Sequence, residues 1–427
     1  MQRIRARVLG AVVGLIAGTV LAQGALAQQA PPPAAATPAA APAPRRAGPP
    51  PVTPLGTGPW DFVTQKGNIH VEVVARHLDH PWAIAFLPDG TMLVTERAGR
   101  LRVIRGGKLD PVAVAGLPPI NPAGIGGLYD IALDPNFARN RFIYLSYVKP
   151  DMKNSDQTTL AVMRGTWDGT DQLRNVKDIF VADAWYGAAP IPKRCCGQGP
   201  ATGSWGGRIL FGRDGKLYVT SGDRNYGEMV QKPDNDFGKI MRINADGTVP
   251  KDNPFVGKKG WKPEIWTGGH RNPLGLTINP FTGQMWETEF GPHGGDELNL
   301  IEKGNNYGWI DVTQGKHYND EPAKGVKNVP GMTDPVLTYL PNSLNPGNPL
   351  FYDGAAFPAW KGDLLLPSFT KGVLRYDTKD GSPVGDPEYL LGDLKQRMRD
   401  AKTGPDGALY ITTDETDGAV LKVTPGS

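Results

Sequence analysis

A short pattern recurs six times along the chain: a tight turn, then apolar residues alternating with Thr, Ser or an acid. It reads PDGTMLVTER from Pro88, DPNFARNRFIYLSY from Asp134, RDGKLYVTSGD from Arg213, NPFTGQMWETEFG from Asn279, FPAWKGDLLLPSF from Phe357 and PDGALYITTDE from Pro405. Each unit predicts a turn feeding a strand of period two. Long amphipathic helices are not evident, and 55 glycines and 41 prolines fit a turn-dense all-β chain. Six strand-rich units predict a six-bladed β-propeller, one unit per blade. At roughly 60 residues each they exceed the usual ~40–50 of such repeats. The excess predicts long loops after the second, third and fourth units, over one mouth of the central channel. A two-sheet sandwich accommodates six separate units less well.

The first 56 residues break this pattern. Arg3, Arg5 and Arg7 precede a mostly apolar run from Val8 to Leu21, and Ala25-Leu26-Ala27 is a small-x-small cleavage site. This is the pattern of an export signal over residues 1–27, with the mature chain starting at Gln28 and a periplasmic location. A retained membrane anchor is the alternative. Residues 28–56 are mostly Pro and Ala, a composition that buries no core and favours an extended tether. The propeller is expected over 57–427, with its folded part starting near Trp60. A formal charge of +3 gives no case for nucleic acid or an acidic partner surface.

Only two cysteines occur, Cys195 and Cys196, and they are adjacent. An oxidising compartment favours pairing. Their Cα atoms are only ~3.8 Å apart across a trans peptide, so a bond between them closes a strained ring. A vicinal disulfide, free thiols and pairing to another chain all remain open.

The richest stretch is Gly268 to Trp309. It puts Arg271-Asn272 on one loop and, about twenty residues later, Gly291-Pro292 and Asp296-Glu297 on another. Strand-like runs, Leu276–Ile278 and Met285–Thr288, lie between them, so a hairpin brings both loops to one end of a sheet. Arginine and asparagine suit an anion; carbonyls and carboxylates suit a hard cation such as calcium. For the acids, a capped turn with exposed carboxylates is the plain alternative.

These residues resemble the quinoprotein glucose/sorbosone (soluble aldose sugar) dehydrogenases. The resemblance runs from HPWAIAFLPDGTMLVTERAGRLRVI at His80 to the last unit. GHRNP at Gly269, EFGPHGGDELNLI at Glu289 and NNYGW at Asn305 are its most specific pieces. It implies a six-bladed propeller that binds pyrroloquinoline quinone (PQQ) and calcium and oxidises the anomeric hydroxyl of aldoses. Arg271 and Asn272 resemble the pair that contacts the quinone, and Arg397 and Arg399 the arginines that hold its carboxylates. Alternate strand residues point the same way, and arginine binds carboxylate as a fork. Gly291 and Pro292 resemble carbonyl ligands of the calcium at the quinone. Asp296, Glu297 and Tyr307 resemble a second, structural calcium site.

Departures from the family fall on the chemistry. Its general-base histidine aligns with Ser204, preceded by Gly203, and its sugar-contacting glutamine aligns with Ile125. A second glutamine aligns with Leu274. A lysine aligns with Thr370, where Lys371, one residue on, is a substitute. A serine hydroxyl is not a competent base near neutral pH without a partner. Ser204, His293 and Asp130 are therefore the candidate catalytic positions, His293 as a replacement base. The adjacent cysteines resemble the vicinal disulfide that packs on PQQ in the larger quinoprotein alcohol dehydrogenases.

Three readings follow. The first is a periplasmic PQQ-dependent dehydrogenase with a modified pocket, oxidising a sugar or another, less polar alcohol or aldehyde, with a soluble electron acceptor of unknown kind. The second is a binding propeller that lost its base. The third, by fold analogy alone, is a calcium-dependent lactonase.

Overall fold

The computed structural model describes residues 53–154, 156–187, 202–318 and 323–427. The export signal, most of the Pro/Ala segment and Cys195 and Cys196 lie outside the described residues. The described chain forms six antiparallel sheets, five of four strands and one of five, arranged as a six-bladed β-propeller. Each blade begins at its inner strand. These are Pro81–Phe86, Leu128–Leu133, Gly206–Phe211, Pro273–Ile278, Leu350–Phe351 and Met398–Thr403 for blades 1 to 6. Among the described residues, no helix is long and apolar enough to cross a membrane.

All six repeated units lead into the second strand of a blade: Met92–Glu96, Phe142–Pro150, Leu217–Ser221, Met285–Glu289, Leu364–Ser368 and Leu409–Thr413. The turn before each holds a residue of left-handed φ, at Gly90, Arg141, Gly215, Gly283, Gly362 and Gly407. Glycine takes that conformation without a Cβ penalty, which is why five of the six are glycine. Four residues after it comes a fully buried side chain, and one later, in five blades, a hydroxyl. In four of the five that hydroxyl is a hook. Thr220 Oγ1 donates to Pro273 O (2.9 Å) and Thr288 Oγ1 to Gly347 O (2.8 Å), each at the inner edge of the next blade. Thr95 and Ser146 do the same to Tyr129 O and Gly207 O. The alternation read in the sequence is therefore apolar packing on one face and blade-to-blade hydrogen bonding on the other. Both faces are buried.

The ring closes on blade 6. Ile69–Leu78, from the N-terminal side, pairs with the C-terminal strand Gly418–Pro425, from Ile69↔Pro425 to Leu78↔Gly418. Trp60–Phe62 adds a fifth strand outside it. Closing the ring with both chain ends leaves no open seam between first and last blade.

At the channel axis the inner strands meet around Arg208. Its guanidinium lies 3.4 Å from both Asp130 and Asp400, donates to Leu274 O at 2.7 Å and sits 4.0 Å above the Trp82 ring. Blades 1, 2, 3, 4 and 6 thus meet at one buried cation. Asp130 belongs to this hub.

Candidate functional site

Above the hub lies a cavity of about 110 Å³ at the channel mouth. Its walls differ. One is cationic: Arg397 and Arg399 stand with their guanidinium carbons 4.5 and 4.6 Å from the Phe369 ring centre. Arg399 occupies the inner strand of blade 6 and Arg397 just precedes it, so the R-x-R spacing aims both side chains one way. Arg97 joins them in lining the cavity. Beneath, Asp414 accepts from Arg399 (2.6 Å), Arg397 (3.4 Å) and His80 (2.9 Å). Burial alone would raise the Asp414 carboxyl; the Arg399 charge, the His80 bond and Arg397 outweigh it and hold it far below the usual carboxylate range. With Arg97 Nη1 4.0 Å from the same carboxylate, three arginines share one aspartate. The buried Nε atoms of Arg397 and Arg399 have no hydrogen-bond partner. A cluster with spare donors and surplus positive charge suits a polycarboxylate.

The facing wall is hydrocarbon: Ile125, Trp205, Leu274 and Phe290. Ile125 is half-exposed at the rim, and its carbonyl accepts from the Tyr129 hydroxyl at 2.8 Å. Asn272 lines the floor, its Oδ1 accepting from Gly206 N at 3.0 Å.

The Arg271-Asn272 and Gly291-Pro292 loops do meet. They flank the blade 4 hairpin of Pro273–Ile278 and Met285–Glu289, whose register runs from Pro273↔Glu289 to Ile278↔Met285. Arg271 Nη1 donates to Phe290 O (2.9 Å) and Gly291 O (2.8 Å). The Tyr318 hydroxyl donates to Pro292 O at 3.1 Å. Each of these carbonyls keeps a second lone pair for a cation.

The three candidate catalytic residues do not line the cavity. Asp130 is sealed in the hub, with Ile209 N donating to it at 2.9 Å; burial raises its carboxyl against the Arg208 charge. As a candidate catalytic position it is displaced: it sits below the floor, because its strand turns it toward Arg208. Ser204 is buried and held at φ 55°. Its hydroxyl is committed to Asp223 at 2.5 Å and lies 3.1 Å from Arg271 O. Asp223 is also bonded by Trp309 Nε1 (2.8 Å) and Asn225 N (2.8 Å); burial raises it and the Arg271 charge opposes. Ser204 therefore pins two loops together. His293 packs edge-on against Tyr318 beside Pro292. Lys371 is exposed and stands away from the cavity lining, while Thr370 spends its hydroxyl on Leu344 O at 3.0 Å. Among the described residues the lining holds no imidazole and no carboxylate.

Asp296 and Glu297 point to opposite faces of their strand, Asp296–Ile301, as neighbours in a strand must. Asp296 accepts from Gly291 N (2.8 Å) and Asn345 N (2.6 Å), so it shapes the Gly-Pro loop and does not join Glu297. Glu297 meets residues that the sequence reading passed over. The Asn299 amide donates to Glu287 (3.0 Å), Glu289 (3.4 Å) and Glu297 (3.2 Å). Burial pushes Glu287 and Glu297 well above the usual range, and the Glu289 charge adds to it. Tyr307 stacks on His270, ring centres 4.8 Å apart, and donates its hydroxyl to Leu300 O. The missed signal was two polar pairs at strand spacing, Glu287-x-Glu289 and Glu297-x-Asn299, in strands buried on both faces.

Comparison with known proteins shows the family. Residues 78–422 match the family model described as Glucose / Sorbosone dehydrogenase. The chain is 36% identical over 362 residues to the aldose sugar dehydrogenase YliI of Escherichia coli, covering 84% of this chain and 93% of that protein. A crystal structure of glucose dehydrogenase superposes with a TM-score of 0.76 at 39% identity, over 84% of this chain and 99% of that one. The PQQ-bound aldose sugar dehydrogenase of Streptomyces coelicolor gives 0.65 at 25% identity, over 83% and 98%. The chain belongs to the glucose/sorbosone dehydrogenase family.

Proposed function

We propose that this protein is a periplasmic PQQ-dependent oxidoreductase whose substrate is a small alcohol or aldehyde less polar than an aldose. The observation that carries the cofactor reading is the convergence of Arg97, Arg397 and Arg399 on one cavity over a single aspartate, with buried Nε donors to spare. PQQ is a tricarboxylate, and when bound it supplies a two-electron acceptor for substrate oxidation. Arg397 and Arg399 would hold its carboxylates, and Asn272 and Arg271 would flank it from the blade 4 loop. Calcium would sit on the free lone pairs of Gly291 O and Pro292 O. The remaining wall selects the substrate. Ile125, Trp205 and Leu274 offer no hydrogen bonds to hydroxyls, so a polyol entering there loses its water partners unreplaced. The same residues keep water off the reacting carbon.

One observation favours a second reading, a cofactor-binding propeller without turnover: the described lining carries no imidazole or carboxylate to accept the substrate proton. The lactonase reading finds no support, since three cationic side chains occupy the cavity where a central metal would need acids.

The deciding experiment adds PQQ and calcium to the purified mature protein, measures binding by calorimetry, then follows dye reduction with aldoses, aliphatic and aromatic alcohols and aldehydes. Tight binding with turnover of the less polar substrates is expected. Failure to bind PQQ would sink the cofactor reading; binding without any turnover would establish the second reading.

A further inference from the structure

The six repeats can be compared with one another, position by position. Four residues after the left-handed turn residue, five blades place an aliphatic side chain: Val94, Leu145, Val219, Leu366 and Ile411. All are fully buried. Blade 4 places Glu287 there, equally buried. An ionisable group at a core position is strongly destabilising unless something compensates it. Its surroundings make the cost larger: Glu289 follows at the next position on the same strand face. Glu297 lies opposite Glu289, and Asn299 opposite Glu287. No arginine or lysine side chain pairs with Glu287 or Glu289 among the described ion pairs, and Glu289 spends one oxygen on Arg271 N and Asn272 N.

The donors that remain converge. His270 Nδ1, a Glu287 oxygen and a Glu289 oxygen all lie within 4.8 Å of one another. His270 Nδ1, Glu287 Oε1 and Asn299 Oδ1 are buried and have no hydrogen-bond partner. His270 is held in place for such a role. Its Nε2 is 2.9 Å from Thr267 Oγ1 and its ring lies on Tyr307. With the ring proton on Nε2, directed to Thr267, the Nδ1 lone pair is free. A partner on the far ring nitrogen is the usual support of a ligating histidine.

We infer that the interior of blade 4 is a divalent metal site, with His270, Glu287 and Glu289 as ligands, Asn299 Oδ1 available on rotation of its amide, and Glu297 at the rim. The donor set has an imidazole nitrogen among carboxylates. It therefore suits a first-row ion such as Mn²⁺ or Zn²⁺ better than calcium, which takes oxygen ligands. The site lies behind the cofactor loop, which Glu289 holds through the backbone of Arg271 and Asn272.

The test does not depend on the proposed oxidoreductase chemistry, because it is read in protein never exposed to PQQ. Elemental analysis of the desalted mature protein should find about one equivalent of manganese or zinc. Chelator-stripped protein should gain roughly 3–6 °C in Tm when either ion is added in excess, and less with calcium. Glu287→Leu installs the side-chain type of the other five blades and is expected to fold; it should lose the bound metal and the Tm response together. Retention of metal in Glu287→Leu would overturn the assignment. So would a wild-type protein that binds neither first-row ion, or whose Tm responds to calcium alone; in that case protons neutralise the cluster.

Discussion

On the blade 6 side of the cavity, Arg397 and Arg399 are braced by Asp414, which also takes His80. Across the cavity, Ile125, Trp205 and Leu274 present hydrocarbon, and Ser204 is withdrawn into a bond with Asp223. The first wall is expensive to build: buried cations need a buried counter-ion, and removing any member leaves another unpaired. The second wall is cheap to change, because one apolar side chain substitutes for another with little disturbance behind it. The contrast teaches that a charged wall and a hydrocarbon wall of one cavity are built independently, so that under the proposed function cofactor and substrate would be recognised on separable parts of it.

The comparison can be broken most forcefully by restoring what the substrate wall lacks. Ser204→His places an imidazole beside Asp223, and histidine tolerates the left-handed backbone found there. A positioned general base contributes about 10²–10⁴-fold. Dye reduction with PQQ and calcium should rise within that range; an unchanged kcat at intact PQQ affinity would show that Ser204 is not the position at fault. Next in size, Arg399→Ala should weaken PQQ binding by about 100-fold, the scale of a charge-assisted carboxylate contact. Affinity within threefold of wild type by calorimetry would remove Arg399 from the cofactor site.

Asp414→Asn sharpens the same wall through pH. The folded carboxyl of Asp414 is held below its unfolded value. Its stabilisation is therefore complete above about pH 3.9 and is lost as the pH falls below that. Wild type should lose up to ~1.4 kcal/mol per pH unit from this one group on acidification below pH 3.9. The variant should start less stable at pH 7 and show a shallower acid limb in urea titrations. Parallel limbs for the two proteins would contradict the assigned ion pairs. The smallest effect is expected at the rim. Ile125→Gln should lower KM for aldoses about tenfold, the scale of one added hydrogen bond, with PQQ affinity unchanged. A shift in PQQ affinity instead would mean the two walls are not separable.

Much of this was legible in the sequence because it is local. Each turn-plus-strand unit declares itself within ten residues, and six of them imply six blades. The R-x-R spacing of Arg397 and Arg399 and the hairpin between Arg271 and Gly291 are local for the same reason. Neighbouring strand residues diverge, which separates Asp296 from Glu297; that too could have been read from the alternation, and was not. Glu287 was also visible as a carboxylate in an aliphatic slot, but only once the repeats were aligned to their turns.

Other features depend on which strands become neighbours, and no short window records that. Asp130 faces Arg208 because blades 2 and 3 are adjacent, and Asp400 reaches the same guanidinium because the ring closes. Closure itself needs Ile69–Leu78 to find Gly418–Pro425 across nearly the whole chain. By itself the sequence determined the repeating blade and the residue types available to a cofactor, since backbone periodicity and side-chain chemistry are properties of short segments. The tertiary structure alone decided which charges face the cavity, which are buried beneath it, and which three donors of blade 4 converge on one point. Those outcomes follow from packing between segments distant in the chain.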